Sequence, residues 1–447
     1  MRPGLPILPL LVWLALQGSL FVARGELRQV PNPWPTIQAA LDASQSGDTV
    51  LVEPGDHAGP VDFLGRDVRV ASRLGAAQTR IGSAGSGPIV RMMNGEGPGA
   101  QLEGFTLSGG VATPEDGVCG GALRVESAAP LIRGNIFRGN QAVLGGGVCL
   151  LGSGAWLIDN LFEDNQAEMG GGLYVEGGEP LLQRNLFNGN RALGAGYGGG
   201  AALESSGARV ERNRFIANQA RLGGALSLRG TSPVDTLRLQ RNSAWGNSAL
   251  FGGAYYAAYC SPVLEGEVLT HSTQGAGLWC NGATPALRCC DLFANLDGND
   301  LCGTDLGGNL SADPLFCDPA AADLRLATGS PCWSTACGVI GAYDLDCAGL
   351  DVEEGPAARP QSPWLDPAVP NPFNPATSLT VTLAQTGSAS LKVFDMAGRE
   401  VATLFNGLQA AGTQSVQFRA DGLPSGVYFA VLSSGQGVQT QKLLLIK

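Results

Sequence analysis

The chain has 447 residues, with 66 glycines, 27 prolines, 44% hydrophobic side chains and only 15% charged ones. That much apolar character without a Gly-x-y period excludes charge-rich disorder and collagen. A net charge of -11 argues against nucleic acid or an acidic membrane surface as partner.

Arg2 is followed by an apolar stretch from Leu5 to Ala23, and Ala23-Arg24-Gly25 supplies the small residues of a cleavage site. This reads as a signal peptide over residues 1–25. No later stretch is long and apolar enough to span a bilayer, so no transmembrane span is expected in the mature chain. Residues 36–43 predict one short amphipathic helix with Thr36 as N-cap, and residues 47–52 a first strand.

A repeat follows. Asn135, Phe137 and Asn140 return in the same frame as Asn160, Phe162 and Asn165, then as Asn185, Phe187 and Asn190, and as Asn213, Phe215 and Asn218. A degenerate copy carries Asn242, Trp245 and Asn247. Successive first asparagines are 25, 25, 28 and 29 residues apart, and each copy is followed by a glycine cluster such as Gly170 to Gly172. Glycine costs a helix about 1 kcal/mol per residue, so the unit is read as short strands joined at Asn, Gly and Pro. One such coil cannot bury its apolar face, but stacked coils can.

Stacking superposes equivalent residues about 4.8 Å apart. The ten asparagines named above then form two side-chain amide ladders, and asparagine is also expected to take the left-handed corners. Phe137, Phe162, Phe187 and Phe215 form an internal aromatic stack. Ala142, Ala167, Ala192 and Ala220 mark a position with room for a methyl group only. The expected fold is therefore all-β: a parallel β-helix solenoid, of about twelve coils at the repeat spacing.

Eleven cysteines, nine of them between Cys260 and Cys347, read as disulfides in an exported chain, with at least one thiol left over. The segment holding Asn295, Asp297, Asn299, Asp300 and Asp305 is the richest in oxygen ligands, and calcium is the one metal it would suit. No other cofactor is expected. Asp159, Glu163 and Asp164 are the candidate catalytic acids, with Arg184 one coil from Asp159. An acid beside an arginine suits a polysaccharide lyase or hydrolase, and equally an ordinary solvated face.

Residues 349–370 are acidic and then proline-rich, an extended linker. From 371 to 447 apolar alternation returns in six or so short segments with glycine turns, which predicts a small β-sandwich.

The repeat resembles the right-handed parallel β-helix superfamily typified by pectin lyases. More narrowly it resembles polymorphic outer membrane protein repeats, through Gly120-Gly121-Ala122-Leu123, Gly223-Gly224-Ala225-Leu226 and Gly252-Gly253-Ala254-Tyr255 and the F-x-x-N elements. In the last of these Tyr255 stands where the family has an aliphatic residue. The tail is similar to the type IX secretion sorting domain and to the related FlgD-type immunoglobulin-like module. Pro370-Asn371-Pro372-Phe373-Asn374-Pro375, Leu423-Pro424-Ser425-Gly426-Val427-Tyr428-Phe429 and the terminal Lys442 to Lys447 carry that likeness.

The resemblances imply a β-helix over residues 26–348 with an N-terminal helical cap, then a sorting or anchoring domain handled by outer-membrane secretion machinery. They imply a secreted or outer-membrane-surface location. The expected role is a non-enzymatic, adhesion-like scaffold binding an extracellular glycan, matrix, protein or cell-surface ligand. The alternative is a lyase or glycoside hydrolase acting on an acidic polysaccharide.

Overall fold

A computed structural model of the chain describes residues 25–347 and 364–446, apart from 84, 114–117, 231–236, 334–336, 344–346, 366–367, 369, 384, 397–398, 411 and 435–436. The expected signal peptide up to residue 24 and nearly all of the expected linker lie outside the described residues.

Strands of three or four residues, broken by sharp corners, stack into three parallel sheets of 12, 9 and 10 strands. Together they form a right-handed parallel β-helix. One coil shows the plan. Leu173–Glu176 lies in the second sheet, Leu181–Gln183 in the first and Leu186–Asn188 in the third. Alternation sends Leu173, Val175, Leu182 and Phe187 into the core, all fully buried. The helix Ile37–Asp42 is capped by Thr36, whose Oγ1 accepts from Ala39 N at 3.1 Å, and it plugs the N-terminal end with Ile37, Ala40 and Leu41.

Phe137, Phe162, Phe187 and Phe215 form one buried stack with centroids 5.0, 4.4 and 4.8 Å apart. Each buried ring contributes about 1.5–3 kcal/mol relative to an exposed one. The asparagines are equally regular. Asn160 Oδ1 accepts from Asn135 N and Nδ2 in the coil before it. Its own Nδ2 donates to Ile132 O and to Asn185 Oδ1 in the coil after it. The same four-bond pattern repeats at Asn165, so every buried amide is satisfied along the axis.

The left-handed corners are not asparagines. The residue before each ladder asparagine takes the positive φ: Gly134, Asp159, Arg184, Arg212 and Arg241 on one corner, Gly139, Asp164, Gly189, Ala217 and Gly246 on the other. Asparagine stays in ordinary backbone so that its amide points inward, and the strained residue points its side chain to solvent. The glycine clusters are the tight corners. At Gly170, with φ +65°, an added Cβ would lie 2.2 Å from Leu173 O, and at Gly171 it would lie 2.4 Å from Gly199 O.

Two further differences from the sequence reading have physical causes. Ala244, not Trp245, pairs with Phe215, and Trp245 faces outward. Ala167 and Ala192 are buried, whereas Ala142 and Ala220 are only half-buried, so the methyl position is not uniformly closed.

The last parallel contacts of the solenoid among the described residues join Ala286–Arg288 to Thr304–Asp305 and Asp291 to Leu310. Beyond them the chain leaves the stack instead of adding closing coils. Phe316–Asp318 pairs antiparallel with Asp323–Leu326, and the segment folds back over the third sheet. Arg214 donates to Ala322 O at 3.3 Å, Arg241 to Gly341 O at 3.2 Å, and Ala342 N to Ser243 Oγ at 3.0 Å. Disulfides Cys289–Cys337 and Cys317–Cys347 tie this strap down. Cys119–Cys149 and Cys280–Cys302 link neighbouring coils, and Cys260, Cys290 and Cys332 form no disulfide.

The C-terminal unit is a β-sandwich-like pair of antiparallel sheets. One holds Trp364–Leu365, Ala376–Leu383 and Gly412–Arg419; the other holds Gly387–Asp395, Glu400–Gln409, Gly426–Ser434 and Gly437–Leu445. Leu379, Val381, Leu391, Val393, Phe418 and Leu443 close its core. Asn371 clasps the last strand: its Nδ2 donates to Lys442 O and its Oδ1 accepts from Leu444 N, both at 2.7 Å.

Candidate functional site

The acids singled out from the sequence do not converge. Asp159 and Arg184 share one outer corner column because both are the left-handed residue before a ladder asparagine. They form a two-pronged ion pair, with Nε to Oδ1 and Nη2 to Oδ2 each 2.7 Å. Arg133 Nε stands 3.9 Å from the same carboxylate, so Asp159 is flanked by cations on both sides. Glu163 faces outward from the third sheet and is engaged by Arg138, its register partner. Asp164 sits at the next corner, five residues on from Asp159 and about 16 Å of chain away.

The oxygen-rich segment is likewise committed to the fold. Asn295 Oδ1 accepts from Ser272 N, and Asn295 Nδ2 donates to Leu269 O and Asn299 Oδ1, extending the second ladder. Asp297 accepts from Gly275 N, and Asp305 from Gly307 N and Asn309 Nδ2. The structure brings Asn295 and Asn299 together but spends Asp297 and Asp305 on separate backbone turns. Among the described residues no group of three or more His, Cys, Asp or Glu side chains could hold a metal ion.

The chemistry that does gather lies on the outer face of the second sheet, which sequence reading missed. Register places Arg91, Arg124, Cys149, Tyr174, Ala202, Ser227, Tyr256 and Trp279 in one column outside the core. Its middle is covered: Cys149, Tyr174, Ala202, Ser227 and Tyr256 are buried, with Val118, Leu144, Met169 and Tyr197 packed against Cys149, Tyr174 and Ala202, and Trp279 is its exposed end. A second column beside it carries Glu126, Glu176, Glu204 and Arg229.

Glu204 is the hub. Tyr174 Oη donates to its Oε2 at 2.8 Å, Tyr197 Oη to its Oε1 at 2.9 Å and Arg229 Nη1 to its Oε1 at 3.1 Å. Tyr174 Oη also lies 3.4 Å from Glu176 Oε2, and the Arg229 guanidinium sits 4.5 Å over the Tyr197 ring. Burial, then the bond to Glu204, pushes the Tyr197 phenol up to about 12. The same causes, in the same order, raise Tyr174 further. Both phenols are donors, not bases, near neutral pH.

Tyr197 also walls an open depression of about 510 Å³, with Glu168, Met169, Leu193, Gly194, Ala195 and Gly196. The strand Arg191–Tyr197 holds the three extra residues that stretch this repeat from 25 to 28, and its pairing with Gln166–Met169 slips register there. Farther along the face, Trp279 is 42% exposed, its ring 5.0 Å from that of Phe251, and Tyr256 accepts a 3.0 Å bond from Asn281 Nδ2. The signal was present in the sequence: the residue directly after each glycine cluster's first strand residue points away from the core. It becomes readable only once the coils are placed in register.

Comparison with known families agrees with this architecture. Residues 94–282 match the family model described as a right handed beta helix region. Residues 368–447 match the secretion system C-terminal sorting domain. No curated protein gives a significant match to the chain. The chain is thus a right-handed parallel β-helix solenoid carrying a sorting domain of the secretion-system type, with a secreted or cell-surface location. No helix among the described residues is long and apolar enough to cross a membrane.

Proposed function

We propose that the protein is an exported, adhesion-like scaffold that binds extracellular glycan at the exposed aromatic end of its second sheet without transforming it. The observation that carries this reading is the indole of Trp279, 42% exposed on the end strand of that sheet with the Phe251 ring 5.0 Å away. An aromatic face of this kind buries the apolar face of a sugar ring, and its polar edge keeps contact with water. The nearby carboxylate Glu204 is saturated by two phenols and Arg229, which suits a fixed surface better than a proton-transferring one. The paired GGA and F-x-x-N signatures support an adhesive role, and the sorting domain supports handling by outer-membrane secretion machinery, followed by release or surface attachment.

The test is retention of the full mature chain on a panel of neutral and acidic polysaccharides, for wild type and Trp279→Ala. Binding weakened about tenfold, with an unchanged melting temperature, supports the reading. Retention that ignores Trp279 overturns it.

A second reading, a glycoside hydrolase, is favoured by one observation: Glu176 and Glu204 are register partners on adjacent coils. Strand spacing puts their backbones about 4.8 Å apart, and retaining glycosidases hold their carboxyl pair at about 5 Å. Reducing ends released by wild type, and lost in both Glu176→Gln and Glu204→Gln, would establish the enzyme in place of the scaffold.

A further inference from the structure

We propose that the corner between the third and second sheets is a dimer interface, on which a second copy of the chain docks with its solenoid antiparallel to the first. The inference goes beyond the glycan reading and does not depend on it.

Backbone bridges place Leu144, Met169, Tyr197, Leu222 and Phe251 in one register column, one residue per coil over four strand steps, about 19 Å. All five are only half-buried, where the chain turns from the third sheet into the second. A contiguous apolar ridge on a surface marks a protein contact, and methionine and aromatic side chains are among the types enriched there.

The residues one step earlier in each coil decide the occupant. They read Val143, Glu168, Gly196, Arg221 and Leu250. About Gly196 this flank is symmetric in kind and opposite in charge: apolar, acid, glycine, base, apolar. Glu168 and Arg221 are exposed, and neither side chain has a hydrogen bond or ion pair among the described residues, whereas Glu163, Glu204 and Arg229 nearby are all paired. A two-fold axis laid across the ridge at Tyr197, perpendicular to the solenoid axis, sets each coil ahead of Tyr197 against the equivalent coil behind it in the second copy. Glu168 then faces the partner's Arg221, Arg221 faces the partner's Glu168, and Val143 faces the partner's Leu250. A parallel pair would set each of these charges against its own kind, so the charges select the antiparallel arrangement.

The centre fits as well. Leu193, 48% exposed, stands on the three-residue insertion at the axis, beside the depression walled by Met169 and Tyr197. There it meets the partner's Leu193, and both lose apolar surface from water. The column beyond the flank is polar over the same coils, as an interface rim is. Its one charge, Arg191, is exposed and long enough to keep its guanidinium in water. The antiparallel pair sets the two Trp279 side chains six strand steps, about 29 Å, apart along the axis, which gives an adhesive dimer two points of contact.

The experiment is sedimentation velocity on the full mature chain across a range of micromolar concentrations. An interface of five coils is small, so the dimer is expected to form with rising concentration. Glu168→Arg and Arg221→Glu should each weaken it about tenfold or more, with unchanged melting temperatures because both side chains are exposed. The double variant Glu168→Arg/Arg221→Glu should restore it, and Leu193→Asp should abolish it with both charges intact. A chain that stays monomeric at every concentration overturns the proposal and leaves the ridge to a different protein. A dimer indifferent to both charge reversals overturns this surface. A dimer weakened by each reversal but not restored by the double variant overturns the antiparallel pairing.

Discussion

The phenol of Tyr255 donates a 2.7 Å hydrogen bond to Oε2 of Glu267, and both residues are fully buried in the solenoid core. Neither is the repeat's own residue type. The phenylalanine stack ends at Ala244, and the Tyr255 ring enters from the second sheet to fill the space, edge-on to Phe215 at 6.4 Å. Its hydroxyl needs an acceptor, and Glu267 stands at the ladder position that Asn242 occupies one coil earlier, taking Asn242 N and Nδ2 on Oε1 at 3.0 Å. The departures at Ala244, Tyr255 and Glu267 are thus one coupled repacking, which explains why this copy of the glycine signature carries an aromatic residue.

Glu267 makes stability pH-dependent. Burial is the largest cause of a shift that lifts its carboxyl from an ordinary 4.5 to about 8, against the lowering pull of Asn242 and Tyr255. Between those values the folded chain holds a proton that the unfolded chain has lost, so stability is greatest below about 4.5 and falls as pH rises toward 8. Urea midpoints between pH 4.5 and 8.5 should show that decline, after subtraction of the other groups by the Glu267→Gln variant. A neutral amide keeps the Asn242 contacts, so Glu267→Gln should flatten the slope and be the more stable protein at pH 8.5. Equal slopes in the two proteins would sink the idea.

The amide ladders carry more than their share of the fold's stability. Asn185 accepts from Asn160 N and Nδ2 and donates to Leu157 O and Asn213 Oδ1, all buried. Asn185→Ala strands several of those groups without water, each at about 1–3 kcal/mol. Asn309, at the last rung, is half-buried and donates only to Leu287 O and Asp305. We expect Asn185→Ala to lower the urea midpoint far more than Asn309→Ala. Similar losses at the two positions would mean that the ladder is incidental to the stacking.

How far the sequence could be read depended on repetition. The asparagines and phenylalanines were legible because the same residue type returns in the same frame, and stacking needs that identity. The ladder's continuation was not, because Glu267 and Cys290 do its work with other chemistry: Cys290 N donates to Asn309 Oδ1 at 2.8 Å, and its thiol reaches Leu264 O. The left-handed corners share no residue type either, since any outward side chain serves once about 1–2 kcal/mol of local strain is offset by the ladder beside it. Positions outside the stacked core share no residue type from coil to coil, so Arg124, Tyr174 and Trp279 look unrelated until the register aligns them. The fold-back after residue 312 has no repeat to announce it.

The pair first suggested as catalytic should prove to be a surface brace. Asp159 and Arg184 are both partly exposed, at 37% and 22% of their side chains. Exposed pairs contribute about 0.2–1 kcal/mol even with good geometry. Asp159→Asn and Arg184→Gln should therefore each shift the urea midpoint slightly, and neither should alter retention on any polysaccharide. Loss of binding in either variant would move the functional face to this corner.

The clasp at Asn371 ties the start of the sorting domain to its final strand. Its side chain bonds both Lys442 O and Leu444 N, while Phe373 N donates to Leu444 O and Ile446 N to Phe373 O, so the Asn-Pro segment holds the final strand as an added neighbour. Gly437–Leu445 is an edge strand of its sheet and has no partner strand on its outer side within that sheet. Removing the Asn371 side chain leaves it held by Gly426–Ser434 and by the two backbone bonds of Phe373. Asn371→Ala should cost about 1–3 kcal/mol locally, seen as faster amide exchange across residues 437–445 with the solenoid unaffected. If secretion reads the ordered strand, the same variant should accumulate inside the cell, whereas Asn371→Asp, which keeps the acceptor for Leu444 N, should be exported better. Exchange unchanged in Asn371→Ala would show that the strand is held without the Asn371 side chain.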